Sequence, residues 1–136
     1  MTDPRRQEAF LDLLQAHKRI ALIGGPHTGL EPLAETCTDR PVLHAAHYAS
    51  APWSDVPASI IETLELLDSF VLVGCVHAAR ALRKGLSVDA VTYLDLDHES
   101  GRISQDPLAK SVETIFRGWR RLHRTIPVVS PDRLPI

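Results

Sequence analysis

The stretch RIALIGGPHTGLE, Arg19–Glu31, decides how the rest of the chain is read. Ile20, Ala21, Leu22 and Ile23 form a short apolar run of the kind that makes a strand buried on both faces. Gly24 and Gly25 end it. Gly24-Gly25-Pro26-His27-Thr28-Gly29 then has the length of a loop whose successive backbone N–H groups can point inward at an anion, with a helix to follow. Gly24, Gly25, His27, Thr28 and Gly29 are therefore the candidate ligand-binding residues. The full pattern, G-x-x-x-x-G-K-[ST], adds a lysine for the β/γ-phosphates and a hydroxyl for Mg²⁺. Here Leu30 stands for the lysine and Glu31 for the hydroxyl. A carboxylate ~5 Å from a phosphate, at an effective dielectric of about 20, repels it by roughly 3 kcal/mol per unit charge.

Working outward, turn signals and apolar periodicity alternate strand with helix along the chain. Helices are predicted over Pro4–His17, behind an Asp3 N-cap, and over Leu30–Cys37, Ala58–Leu67, His77–Lys84 and Pro107–Arg124. Strands are predicted over Arg19–Ile23, Pro41–Tyr48, Phe70–Val76, Ala90–Leu96 and Ile126–Ser130. Val112, Ile115, Phe116, Trp119 and Leu122 make the core stripe of the last helix. The expectation is a single α/β domain over 1–136, with a three-layer parallel sheet of about five strands and helices on both faces. Ile20–Ile23 should be central, with Val71–Val76 beside it.

Composition bounds the function. At 136 residues, 44% apolar and 24% charged, the chain can build one ordinary globular core. A formal net charge of −2 disfavours a general affinity for nucleic acid or an anionic membrane. No apolar run reaches the length of a membrane span, and the polar start MTDPRRQE is unlike a secretion signal. Cys37 and Cys75 are too few for a disulfide framework. A cytoplasmic setting is expected.

In this order of elements, over Arg19–Val129, the chain resembles the P-loop kinases of the nucleoside and nucleotide kinase type. The second strand, which in that family often ends in an aspartate meeting the phosphoryl acceptor, ends here in His44-Ala45-Ala46-His47-Tyr48. A later strand, commonly closed by an acid serving Mg²⁺ or substrate, ends in Val73-Gly74-Cys75-Val76. The basic helix Lys110–Arg124 falls where relatives carry lid arginines. Lysine, hydroxyl, aspartate and metal-side acid are all replaced. The resemblance thus implies a P-loop NTPase-like fold that has lost its catalysis, with weak nucleotide or phosphate binding left to the glycine loop. Such a protein would act by binding a protein partner, a second copy of itself or a nucleotide. Two other functions stay open. One is an active phosphotransferase or hydrolase with non-standard groups such as His27 and Thr28.

The other is a metal-dependent enzyme. His27, His77 and His98 fall just past predicted strands and His47 at the end of another, and imidazole with carboxylate suits Zn²⁺, Mn²⁺ or Fe²⁺. His47, His77, Asp95 and His98 are the candidate ligands, although no H-x-H or H-x-x-x-H pair fixes two of them locally. For a partner, Lys110, Arg117, Arg121 and Arg124 lie on one helical stripe, which Arg80, Arg83 and Lys84 extend if the two helices share a face. Trp53, in the Pro-rich loop after Tyr48, is an aromatic anchor for the same purpose or a pin for the loop.

Overall fold

The computed structural model describes residues 4–48, 51–97 and 100–132. Its elements are α1 (Pro4–Ala16), β1 (Arg19–Gly24), α2 (Leu30–Ala34), β2 (Val42–His44), α3 (Val56–Glu65), β3 (Phe70–Gly74), α4 (Val76–Arg83), β4 (Ala90–Leu94), α5 (Pro107–Leu122) and β5 (Val128–Val129). Short 3₁₀ turns cover Ala45–Tyr48 and Trp53–Asp55. All five strands are parallel, in the order β2-β3-β1-β4-β5.

The apolar run of β1 is explained by its place. It pairs with β3 on one side and β4 on the other, in the register Ile20↔Val71 and Ile20↔Ala90. Side chains alternate across a strand. Ala21 and Ile23 accordingly join one buried cluster with α3, α4 and α5, while Ile20 and Leu22 join a second with α1 and α2. Both faces of the sheet are covered, so neither set of side chains meets water. On the α5 face, Tyr93, Phe116 and Trp119 stack in series at 4.6 and 5.5 Å between ring centroids. Asp106 accepts from the Leu108 N–H at 2.8 Å, and with Pro107 in the first turn it fixes where α5 starts. Among the described residues no helix is long and apolar enough to cross a membrane. Asp3, the predicted cap of α1, lies outside them.

Several predicted boundaries move. β1 stops at Gly24, where the chain turns away. β3 then has no β1 partner beyond Gly74, nor β4 beyond Leu94, so Val76 begins α4 instead of extending a strand. β2 likewise ends at His44, three residues long, and Ala45–Tyr48 coils into a 3₁₀ turn with Ala45 packed against Gly74. The predicted fifth strand shrinks to Val128–Val129. Helix α2 covers five residues instead of eight, because Thr36 and Cys37 bond back three residues and tighten its end. Helix α3 begins earlier than expected, at Val56, with Pro57 in its first turn.

Leu122, predicted for the core, is 83% exposed. Sixteen helical residues rise about 24 Å, whereas the five residues of β4 beneath span roughly 17 Å. The last turn of α5 therefore overruns the sheet.

Candidate ligand-binding crevice

In a doubly wound sheet, a crevice opens where adjacent strands send their connections to opposite faces. Here that happens between β1 and β3. The chain leaving β1 goes to α2 on one face, and the chain leaving β3 goes to α4 on the other. The resulting crevice of about 430 Å³ runs from Gly25–Pro32 on one wall, past His44–Ala46, to Val73–His77 on the other. Most of its surface is apolar. Its polar groups are His27, Thr28, Glu31, His44, Cys75 and His77.

The glycine loop is built firmly. A Cβ on Gly25 would stand 2.6 Å from the Ala109 Cβ, so only glycine allows the loop to lie against α5. His27 has φ +64 and Gly29 φ +84, both left-handed, a conformation that for His27 costs about 1 kcal/mol. Thr28 is buried, and its hydroxyl donates to the Gly25 carbonyl at 2.7 Å. From behind, the buried Arg6 guanidinium donates to the Thr28 carbonyl and, at 3.3 Å, to that of Leu96. Arg6 is held by a fork of two bonds to Asp132, at 2.6 and 2.8 Å. Asp132 Oδ2 also accepts the N–H groups of Asp95 and Leu96, at 3.2 and 3.1 Å. One ion pair thus ties α1, the loop, the end of β4 and the tail together.

Of the five loop residues singled out from sequence, Gly25, His27, Thr28 and Gly29 line the crevice. Gly24 does not. It is the last residue of β1, and a Cβ there would meet the Leu94 carbonyl at 2.4 Å. The hydroxyl of Thr28 is already engaged by the loop itself.

The opposite wall is the N-terminal turn of α4. Cys75 is its N-cap and makes no side-chain capping bond. Burial raises the pKa of the Cys75 thiol, and the nearby carboxylates of Glu31 and Asp106 raise it further. His77 is shifted the other way, downward, by burial and then by Arg80, so it is neutral at pH 7. Its Nδ1 sits 3.3 Å from Arg80 Nη1. A neutral ring facing a guanidinium accepts there, which leaves its proton on Nε2. Trp53, 60% exposed, has its ring 4.7 Å from that of His77 and 4.2 Å from the Arg80 guanidinium carbon. It packs on His77, which lines the crevice, without lining the crevice itself.

The histidine and carboxylate candidates are dispersed. His47 is exposed on the 3₁₀ turn, 5.4 Å from the His44 ring, and His77 is across the crevice on α4. Asp95 lies past β4, in a small separate hollow with Gly25, Tyr93 and Lys110. His98 falls outside the described residues. Among the described residues no three His, Cys, Asp or Glu side chains converge to hold a metal ion.

Lys110, Arg117, Arg121 and Arg124 are all exposed along and just beyond α5, with Arg117 paired to Glu113. Helices α4 and α5 do share one face of the sheet. Arg83 and Lys84 can therefore extend the basic area, but Arg80 cannot, because it is buried. Arg6 with Asp132, separated by 126 positions, and the burial of Arg80 carry no local sequence signal.

Compared with protein-family models, curated proteins and solved structures, the chain matches none of them.

Proposed function

We propose that the chain is a catalytically degenerate P-loop kinase-like protein that acts by binding, its crevice taking up a small ligand without phosphoryl transfer. The lining of the crevice carries this reading. Leu30 and Glu31 stand directly after the loop, where such a kinase needs a cation and an Mg²⁺-holding hydroxyl, and the lining includes no lysine or arginine. Phosphoryl transfer is mostly positioning and charge stabilisation, so a crevice with a carboxylate in place of those groups lacks the means for it.

Three further observations support the reading. Parallel pairing of β1 with β3 sets Ile23 beside Gly74, so the glycine loop and the end of β3 face one another across a single crevice. Helix α2 has five residues and an acidic first turn, which leaves little positive potential at its start for a phosphate chain. The crevice is concave, largely apolar and pre-formed by rigid elements, as small-molecule sites usually are.

The test is an assay of purified protein with labelled ATP and Mg²⁺, beside a thermal-shift panel of small ligands. Expected are no turnover above the blank and a melting-temperature rise with some member of the panel. Replacing Leu30→Lys with Glu31→Ser should improve ATP affinity by roughly tenfold or more, since each restores an electrostatic interaction of a few kcal/mol. Turnover that disappears in His27→Ala would establish an active phosphotransferase instead. No gain in ATP affinity from the double substitution would show that the loop is not a phosphate cradle.

A further inference from the structure

The crevice carries charge of one sign. Apart from the imidazoles, Glu31 is the one charged side chain among the described residues that line it. It stands in the first turn of α2. Helical side chains lean toward the N-terminus of their helix, which carries the Glu31 carboxylate back over the glycine loop and toward the mouth of the crevice. Glu31 is exposed and has no ion pair among the described residues. The Cys75 thiol, in the far wall, registers the field inside: the charged groups that act on it are Glu31 and Asp106, both negative. Arg80 stands behind His77, bonded to its Nδ1 and covered by Trp53, and is not part of the lining. Most of the remaining surface is apolar, with Leu30 and Val73 buried and Val76 half-buried. An apolar molecule lying there covers the carboxylate and strips part of its water, which is unfavourable unless an opposite charge comes with it.

We propose that the crevice binds an organic monocation, a primary ammonium group at Glu31 on an apolar body that lies against Leu30, Val73 and Val76. The lining selects each part. One carboxylate matches one positive charge, and a second ammonium group would enter an apolar space with no partner. The cation carries N–H donors because a carboxylate accepts them, whereas a quaternary ammonium needs aromatic faces, and the described lining holds no phenylalanine, tyrosine or tryptophan. An organic anion meets the same carboxylate with the wrong sign. The inference rests on the crevice being a ligand site, as above, and adds which charge its ligand bears.

The test titrates 2-phenylethylammonium, its neutral counterpart 2-phenylethanol and the anion 3-phenylpropionate into the isotope-labelled full chain at pH 7, followed by NMR. The ammonium ion should shift the amides of Gly29, Leu30 and Gly74–Val76 saturably. 2-Phenylethanol should bind about fivefold more weakly, the worth of one partly exposed charge-assisted contact, and 3-phenylpropionate should give no saturable shift. Glu31→Gln should weaken the ammonium ion by the same factor and leave 2-phenylethanol unchanged, with the fold kept because Glu31 is exposed. Glu35→Gln makes the same change of net charge at an exposed position outside the lining and should alter neither affinity. Equal binding of 2-phenylethylammonium and 2-phenylethanol, or tighter binding of 3-phenylpropionate, would overturn the proposal. So would an ammonium affinity indifferent to Glu31→Gln, an equal loss in Glu35→Gln, or the absence of any saturable shift by the ammonium ion. In that event, a nucleotide or other ligand that shifts the Gly25–Gly29 amides would preserve the crevice as a binding site. Silence of those amides toward every ligand would remove both readings.

Discussion

Replacing Asp132 by alanine tests how the glycine loop is held. The carboxylate is 4% exposed and its partner, the Arg6 side chain, 7%. Truncation leaves a buried guanidinium whose acceptors are reduced to the Thr28 and Leu96 carbonyls, and it removes the carboxylate that accepts from the N–H groups of Asp95 and Leu96. Breaking a buried pair by removing one partner destabilises by about 3–5 kcal/mol. The two remaining carbonyls put the expectation at the lower end, about 3 kcal/mol. For a domain of this size that is a fall in melting temperature of roughly 10 °C. Urea unfolding followed by fluorescence, with buried Trp119 as reporter, measures it directly, provided the slope with denaturant is unchanged. The double variant Arg6→Met with Asp132→Ala supplies the control. With both charges gone no desolvated cation remains, so it should lose less than the sum of the single variants. Amide exchange at Gly25–Gly29 should also accelerate in Asp132→Ala, because the Thr28 carbonyl loses its fixed donor. A loss below about 0.5 kcal/mol, or single effects that simply add, would refute the assignment of Arg6 and Asp132 as the clamp on this loop.

Three shorter predictions follow from the same geometry. A Cβ on Gly74 would lie 2.7 Å from the Ala45 Cβ and 3.2 Å from that of Ala78, so Gly74→Ala should destabilise by about 1–3 kcal/mol through overpacking, read by urea unfolding. Gly118 lies inside α5 with nothing within 4 Å of an added Cβ, so Gly118→Ala should stabilise by roughly 0.5–1 kcal/mol, and a lowered melting temperature would contradict the helix as described. Burial and Arg80 hold the pKa of His77 below its usual 6.5. As pH falls below about 6.5 the unfolded chain takes up a proton on this ring before the folded one does, so stability should decline until the folded value is passed, and His77→Gln should remove that part of a stability–pH curve.

What the sequence determined by itself is the alternation of strands and helices and the burial of β1 and β3. A strand covered on both faces must be apolar without a break, and Ile20–Ile23 and Phe70–Val73 are. The glycine loop after β1, and the presence of Leu30 and Glu31 directly behind it, were equally legible, since they are read from residue type and spacing. Tertiary structure alone decided which strands are neighbours, and with that where each one ends. Val76 and Leu96 have strand-like sequence, but β1 had already turned away beside them. It also decided the fate of the charges. Nothing local distinguishes Arg80 from Arg83, yet one is buried between His77 and Trp53 while the other is exposed. Arg6 meets Asp132 only because α1 and the tail reach the same end of the sheet. Apolar periodicity records how deeply a segment is buried. What buries it, and which charge loses its water in the process, depends on partners far away in the chain.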